Sequence, residues 1–166
     1  MIRKAIRKDL PGIMRMTQAV VGKMNNQGSK QWDEHYPAEA DYLRDIERDE
    51  LFVFEENGTV LGVCSISKRG HKEYHEINWS TNDPTWTLKR MAVDPNQHGR
   101  GIADQLIQFA QKLAKQAGVY HLNTDTYSEN QHAKRLFQRH GFQLVETRQD
   151  PSHSAELYYF EKSLKE

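Results

Sequence analysis

The sequence predicts a mixed α/β fold in a single domain over residues 1–166, and three observations support this prediction. The chain has 166 residues, 37% of them hydrophobic and 28% charged, which is typical of a soluble globular domain. The dipeptide Asn57-Gly58 separates two apolar, β-branched runs and is typical of a tight β-hairpin. Strand-like runs and helical stripes follow one another along the chain, a pattern that favours a mixed α/β sheet.

The first elements are predicted in the order β-α-α-β-β. Residues 2–6 alternate apolar and basic side chains, as a half-buried strand does. Asp9 is a candidate N-cap for the first helix. The buried face of that helix is predicted to consist of Leu10, Ile13, Met14, Thr17, Val21 and Met24. A second helix is predicted over residues 38–48, and strands are predicted over residues 51–55 and 59–67.

Two polar segments are predicted to connect these elements with their neighbours. Residues 25–30 are interpreted as a loop. Residues 70–84 are rich in His and Asn and are interpreted as a connection with a short strand at residues 76–79. The next strand is predicted over residues 86–93, and Asp94-Pro95 ends it.

The second half of the chain alternates strands and helices more clearly. Apolar side chains at helical spacing predict a helix from Ile102 to Ala117, and Gly118 is placed to end it. A further helix is predicted over residues 129–140. Strands are predicted over residues 119–126, 142–147 and 157–160. The complete predicted order is therefore β-α-α-β-β-β-α-β-α-β-β.

Composition excludes several classes of protein. Because 23 Lys and Arg residues balance 23 Asp and Glu residues, the formal net charge is zero, which argues against nucleic-acid binding through a basic face. Cys64 is the only cysteine, so neither an internal disulfide nor a zinc site of several thiolates can form. No apolar stretch approaches the roughly 20 residues of a membrane span, and residues 1–7 are too charged for a signal peptide. We therefore expect a cytoplasmic protein without membrane association.

The eight histidines do not predict a metal site. His71 and His75 are four residues apart but lie in a segment that lacks a helical pattern. His132 and His140 lie on one predicted helix without an evident third ligand. We therefore predict no metal.

A glycine-rich segment between a predicted strand and a predicted helix is the clearest functional signal. It reads His98-Gly99-Arg100-Gly101-Ile102-Ala103, and its glycines allow close backbone approach to a ligand in front of the free N–H groups of the helix. Arg100 adds a charge that can pair with phosphate. Asp104 stands where a dinucleotide motif needs its third glycine, and the Gly-Lys-Ser/Thr of nucleotide triphosphatases is absent. The alternative is a turn that merely connects strand to helix.

This segment, together with a second motif, resembles the GNAT superfamily of N-acetyltransferases. Arg90-Met91-Ala92-Val93-Asp94-Pro95 followed by the segment from His98 to Ala103 is similar to the acetyl-CoA motif of that family. The second motif is Asn130-x-x-Ala133-x-x-Leu136-Phe137-x-x-x-Gly141-Phe142. The resemblance covers nearly the whole chain. It implies a mixed, mostly antiparallel central sheet with splayed central strands and helices on both faces.

The resemblance also implies how acetyl-CoA is bound. Backbone groups of Met91 and Val93, on a bulged strand, would pair with the pantetheine arm, and the Met91 amide would polarise the thioester carbonyl. The amides from Gly99 to Ala103 would hold the pyrophosphate. The residues assigned to the cofactor are Met91, Ala92, Val93, His98, Gly99, Arg100, Gly101, Ile102, Ala103 and Asn130.

The implied reaction moves an acetyl group to the amine of a small molecule or of a peptide or protein N-terminus, by direct attack on the thioester. Some relatives place a carboxylate base five residues before the position of Asn130, which here is Asp125. Alternatively, Asp125 caps the turn or helix after its strand. Phe137 replaces the Tyr that often protonates the departing thiolate, and Tyr127 is the candidate substitute.

The acceptor pocket is predicted to involve aromatic side chains outside clear periodic stripes, namely Trp32, Tyr36 and Trp79. Core packing is the alternative for all three. The expected partners are acetyl-CoA and an amine, and a homodimer is left open. One competing hypothesis is a catalytically weak acyl-CoA sensor. A weaker one is a nucleic-acid binder that uses Lys112, Lys115, Lys134, Arg135 and Arg139.

Overall fold

The computed structural model describes residues 1–28, 32–151 and 155–166. Within these residues, seven strands and four helices follow the predicted order, which confirms the mixed α/β fold. The elements are β1 (Ile2–Lys4), α1 (Leu10–Asn26), α2 (Glu39–Glu47), β2 (Leu51–Glu56), β3 (Thr59–Ser67), β4 (Trp86–Val93), α3 (Ile102–Gln116), β5 (His121–Tyr127), α4 (Gln131–Arg139), β6 (Gln143–Gln149) and β7 (Glu156–Ser163).

The strand order of the sheet is β1-β2-β3-β4-β5-β7-β6. The pairs β1–β2, β2–β3, β5–β7 and β6–β7 are antiparallel, whereas β4 and β5 are parallel. The chain forms two compact units, one of residues 1–67 and 89–109 and the other of residues 68–88 and 110–166. The single domain over residues 1–166 stays a prediction. In the described part of the chain, no helix is both long and apolar enough to span a bilayer.

The first unit contains the predicted hairpin. Asn57 and Gly58 both have positive φ (53° and 78°), as a type I′ turn requires, and Glu56 pairs with Thr59 across it. The helix α1 packs its predicted face on this hairpin, with Ile13 fully buried. Cys64 is also fully buried, and burial raises the pKa of its thiol to about 12.

Two predictions for the start and end of α1 need correction. Asp9 stands directly before the helix, but its carboxylate accepts from the Ile6 N–H (2.8 Å) and from the Arg3 guanidinium (2.9 Å twice). A side-chain cap of α1 is therefore not its role, because an arginine and the preceding turn occupy both oxygens. The helix also continues through Asn26, into the predicted loop of residues 25–30, of which residues 29 and 30 lie outside the described part.

Close packing places the start of α3 on the sheet of the first unit. A Cβ atom on Gly62 of β3 would lie 2.9 Å from Ile102 Cγ2 and 3.4 Å from Leu106 Cδ1. A side chain at residue 62 would therefore force the Ile102 side chain or α3 itself to shift. No role was predicted for Gly62.

The second unit is built on the antiparallel strands β5, β7 and β6. Asp125 pairs with Tyr159, and Tyr159 pairs with Glu146 on the other side. The predicted strand at residues 76–79 is wrong, because a 3₁₀ helix forms at Lys72–Glu76 instead. The Tyr74 side chain of this 3₁₀ helix is buried, and its ring packs against Tyr159 with the centroids 5.8 Å apart. Residues 77–79 follow the helix without forming a strand.

Candidate functional site

The strand β4 has an irregular backbone directly before Met91. Arg90 has φ 51°, in the left-handed region that residues with a Cβ atom rarely adopt. The bulge that the family resemblance implies for this strand stays a prediction. The parallel register between β4 and β5 aligns Trp86 with Leu122 and Thr87 with Asn123, at the beginning of β4.

A buried ion pair holds Arg90. Its guanidinium donates to both carboxylate oxygens of Asp45 on α2, at 2.8 and 2.7 Å, and to the Tyr36 hydroxyl at 3.2 Å. The Arg90 and Asp45 side chains are only 11% and 2% exposed. This pair was not predicted, because the sequence around neither residue indicates the other as its partner.

The turn after β4 is fixed by hydrogen bonds. The Asp94 N–H donates to Leu61 O of β3 (2.9 Å), and Asp94 Oδ1 accepts from the Asn96 N–H (2.9 Å). The Gln97 N–H donates to Asp94 O (2.8 Å), which closes a short 3₁₀ turn at Pro95–Gln97. The glycine-rich loop therefore begins from an anchored backbone.

The loop itself has the geometry of an anion site. Gly99 and Gly101 have φ 84° and 74°, and a Cβ atom on either would meet nothing within 4 Å. The Gln105 N–H donates to Gly101 O (3.0 Å), so α3 begins directly after Gly101. The first N–H groups of α3 have no carbonyl partner within the helix and form its positive end. An anion in front of Gly99 and Gly101 would meet those N–H groups.

Arg100 is oriented by protein partners. Its guanidinium donates to Glu56 Oε2 (2.7 Å) and Gln97 Oε1 (2.6 Å), and the Glu56 hydrogen bond raises its pKa. Both side chains of the Arg100–Glu56 pair are more than two-fifths exposed. A phosphate group bound by Arg100, as predicted, would compete with the Glu56 carboxylate for the Arg100 guanidinium. His98 is exposed at the start of the loop.

Asp125 lies in the second unit, on β5. Its Oδ2 accepts a 2.6 Å hydrogen bond from the Tyr74 hydroxyl, and His71 Nε2 lies 4.0 Å away. Burial and the neighbouring Asp125 raise the pKa of Tyr74 well above its usual value, so the phenol stays protonated and donates. The cap of α4 is Asn130, whose Oδ1 accepts from the Ala133 N–H at 3.1 Å.

The candidate acid Tyr127 is held by Asp150. Its hydroxyl donates to the Asp150 carboxylate, and its pKa is raised by burial and by that carboxylate. Phe137, at the usual Tyr position of the family, is buried against Phe142 and Phe160, with ring centroids 5.6 and 5.7 Å away. The side chain at position 137 is thus part of the core.

Of the three aromatic residues predicted for the acceptor pocket, two lie in the first unit and one lies in the second. Trp32 is buried in the core of the first unit, and its ring meets Tyr36 edge-on at 6.5 Å. Trp79 is half-buried in the second unit, where its indole N–H donates to Tyr74 O (2.9 Å) and its ring packs on Tyr159. Their role toward an acceptor stays a prediction. Across the described ranges, His, Cys, Asp and Glu side chains do not form a group of three able to hold a metal ion.

Known proteins with a similar sequence are acetyltransferases. Aminoalkylphosphonate N-acetyltransferase of Salmonella typhimurium is 29% identical over 86 residues, and the match covers 52% of this chain and 51% of that protein. This chain thus spans about half the length of that relative. Peptidyl-lysine N-acetyltransferase YiaC of Escherichia coli is 29% identical over 155 residues, covering 88% of this chain and 85% of that protein.

A solved structure and a family model also show similarity to acetyltransferases. The structure of YncA from Salmonella typhimurium, solved with its cofactor acetyl-CoA, has the same fold, with a TM-score of 0.73 at 20% identity over 100% of this chain and 94% of that chain. The model of the Acetyltransferase (GNAT) family matches residues 18–142, which include β4, the glycine-rich loop and α4. This chain therefore belongs to the GNAT acetyltransferase family and is an acyltransferase.

Proposed function

We propose that this protein is an acetyl-CoA-dependent N-acetyltransferase that moves an acetyl group to the amine of a small molecule or of a peptide or protein N-terminus. The observation that carries the proposal is the loop at Gly99 and Gly101, which leaves open space in front of the first N–H groups of α3. A pyrophosphate fits this space because backbone donors and a helix N-terminus favour an anion. Ile102 and Ala103 supply the first of these N–H groups.

The strand before the loop would bind the rest of the cofactor. We assign the backbone of Met91 and Val93 to the pantetheine arm, which adds to the strand as an extended peptide would. Acetyl-CoA supplies the thioester carbonyl that the amine attacks. The Met91 N–H is our candidate donor to that carbonyl oxygen as negative charge develops on it. Asn130 is proposed to contact pantetheine with its amide group, whose Oδ1 also caps α4.

The attacking amine must lose a proton, because free alkylammonium groups have pKa values of about 10. We propose Asp125 as the base or as the group that orients a water for this step. The Tyr74 hydrogen bond supports the proposal in one respect, since it fixes the carboxylate in one orientation. Tyr127 remains our candidate acid toward the departing thiolate, and to act as one its hydroxyl would have to leave the Asp150 carboxylate to which it donates.

The acceptor class is proposed more broadly. Trp32, Tyr36 and Trp79 are the aromatic residues we assign to acceptor recognition, since aromatic faces suit apolar or cationic amines. The names of two relatives mention an aminoalkylphosphonate and a peptidyl lysine as their substrates. Those two classes therefore belong in any acceptor screen. We also propose a cytoplasmic location for this protein.

One observation favours a second candidate function, a catalytically weak acyl-CoA sensor. Phe137 replaces the usual Tyr and is packed into the core, while the Tyr127 hydroxyl is engaged by Asp150. A protein with these features could retain the cofactor loop and lack an efficient acid. Acceptor-dependent turnover separates the two functions.

The test follows release of free CoA thiol from acetyl-CoA in the presence of single acceptors. The panel contains aminoalkylphosphonates, lysine peptides with blocked N-termini, peptides with free N-termini, aminoglycosides and simple amines. Acceptor-dependent release with formation of the acetylated amine is the expected result. Tight acetyl-CoA binding without release from any acceptor class would favour the sensor, and absence of binding would contradict both functions.

A further inference from the structure

Arg90 has an unusual backbone conformation, and the glycine-rich loop that follows β4 does not explain it. A residue with a Cβ atom adopts φ 51° inside a strand only when its surroundings hold it there. The peptide plane that bears the Met91 N–H directly follows the Arg90 dihedral angles. The direction of this N–H therefore depends on what keeps Arg90 in the left-handed region.

The Arg90 side chain is held by an ion pair with Asp45 and by a hydrogen bond to Tyr36. Two parallel hydrogen bonds, 2.8 and 2.7 Å long, join the planar guanidinium to Asp45, and a third donor reaches the Tyr36 hydroxyl at 3.2 Å. This fork geometry fixes orientation as well as distance. Because Asp45 is 2% exposed, solvent does not compete with the pair.

The carboxylate is itself rigidly placed. Asp45 lies on α2, whose Tyr42 is fully buried and hydrogen-bonded to Thr17 of α1 at 3.2 Å. The Glu50 N–H, between α2 and β2, donates to Asp45 O at 2.9 Å. Two residues after Arg90, Ala92 is buried in the core of the same unit. The backbone around Arg90 is thus held by its side chain before Met91 and by packing after it.

We infer that Arg90, held by Asp45, is a positioning residue that keeps its own backbone in the left-handed region and thereby directs the Met91 N–H. The inference rests on the proposed function, in which that N–H polarises the thioester carbonyl. Loss of the pair would let residue 90 relax toward an extended conformation and turn the Met91 peptide plane. The glycine-rich loop has its own anchors at Asp94 and would still bind the pyrophosphate.

The test uses protein labelled with ¹⁵N-methionine and ¹⁵N-glycine, titrated with acetyl-CoA and, separately, with CoA. The Met91 amide signal is assigned by its loss in Met91→Leu. In the wild-type protein, Gly99 and Gly101 are expected to respond to both ligands. Met91 is expected to respond more strongly to acetyl-CoA, because CoA lacks the thioester carbonyl.

Two variants remove the pair conservatively. Arg90→Lys keeps the charge but loses the fork, and Asp45→Asn keeps the shape but loses the charge. In both, Gly99 and Gly101 should respond as before, whereas the acetyl-dependent part of the Met91 response should be lost. Arg44→Lys is the matched control, because it alters an exposed ion pair with Asp41 on the same helix. With an accepted amine, both test variants should lower kcat by about 100-fold at an unchanged KM for acetyl-CoA.

The outcomes separate the inference from the proposed function. No response of Gly99 and Gly101 in the wild-type protein would contradict the proposed function. A normal glycine response combined with an unchanged Met91 response in either folded variant would overturn the inference. Loss of the Met91 response in Arg44→Lys would also overturn it, since the effect would then come from any disturbance of α2. If Arg90→Lys fails to fold, the same comparison with Asp45→Asn decides.

Discussion

The Tyr74 hydroxyl donates to Asp125 Oδ2 over 2.6 Å, across 51 positions of sequence. The tyrosine ring is buried against Trp79 and Tyr159, so its hydroxyl has a fixed direction. The carboxylate that we propose as base is therefore held in one orientation by a group that stays protonated at neutral pH.

Asp125→Asn is expected to lower turnover by about 100-fold, the loss typical of a missing general base. The limb of the kcat/KM profile that reports deprotonation of a base should disappear, while the acetyl-CoA affinity stays unchanged. Tyr74→Phe is the comparison, since it removes the hydrogen bond and keeps the carboxylate. Equal loss of stability in both variants with an unchanged pH profile would show that Asp125 only anchors Tyr74.

Gly62→Ala is expected to lower the free energy of unfolding by about 1–3 kcal/mol, because its Cβ atom would overlap Ile102 at 2.9 Å. The acetyl-CoA affinity should fall as well, since Ile102 begins α3. Urea unfolding and calorimetry measure the two effects. Gly22→Ala in α1 is the control, because its Cβ atom would meet nothing within 4 Å. Unchanged stability and affinity in Gly62→Ala would contradict this account of how α3 is placed.

Glu56→Gln is expected to raise the affinity for acetyl-CoA by about threefold, because it frees the Arg100 guanidinium from a competing carboxylate. Arg100→Met should weaken the affinity by a similar factor and reduce its dependence on salt. Calorimetry at two salt concentrations checks both directions. Equal affinities in all three proteins would mean that Arg100 does not contact the phosphates.

The free energy of unfolding is expected to depend on the ionisation of Asp9 at acid pH. The Arg3 hydrogen bond holds the pKa of the Asp9 carboxyl below its usual value. A lowered folded-state pKa contributes stability that is fully present above the unfolded value of about 3.9 and is lost as pH falls through the folded value. Asp9→Asn should therefore be less stable than wild type at pH 7 by about 1 kcal/mol.

That difference should shrink as the pH is lowered below about 5 and vanish near the folded pKa of Asp9. Urea unfolding between pH 3 and pH 7 measures it, within the approximate range where carboxyl groups titrate. Glu34→Gln, at an exposed position, controls for the loss of one negative charge. A difference that stays constant or grows toward acid pH would contradict the assigned partnership with Arg3.

Local signals in the sequence predicted the parts of the structure that depend on neighbouring residues. Asn57-Gly58 forms the hairpin because both residues tolerate positive φ. Gly99 and Gly101 also have positive φ, and both lie just before α3. The strand predicted over residues 76–79 does not form, because four residues offer too little periodicity for a reliable prediction, and the 3₁₀ turn at Lys72–Glu76 lies in a segment predicted only as a connection.

Pairs of residues distant in sequence could not be predicted from a single chain. Arg90 and Asp45 are 45 positions apart, and neither residue type in its local setting indicates the other. Gly62 is separated from Ile102 by the connection after β3, the whole of β4 and the glycine-rich loop, so its close contact appears only once the fold is assembled. The family motif indicates the loop to which we assign acetyl-CoA, whereas the residues that position this loop come from tertiary structure.

The most direct test of the central claim is calorimetric titration of acetyl-CoA into the wild-type protein and Gly101→Glu. Gly118→Glu is the matched control, since Gly118 has the same positive φ (78° against 74°) and equally open space, at the other end of α3. We predict that wild type and Gly118→Glu bind acetyl-CoA alike and that Gly101→Glu does not bind. Binding by a folded Gly101→Glu with wild-type affinity would contradict the assignment of the acetyl-CoA site to this loop.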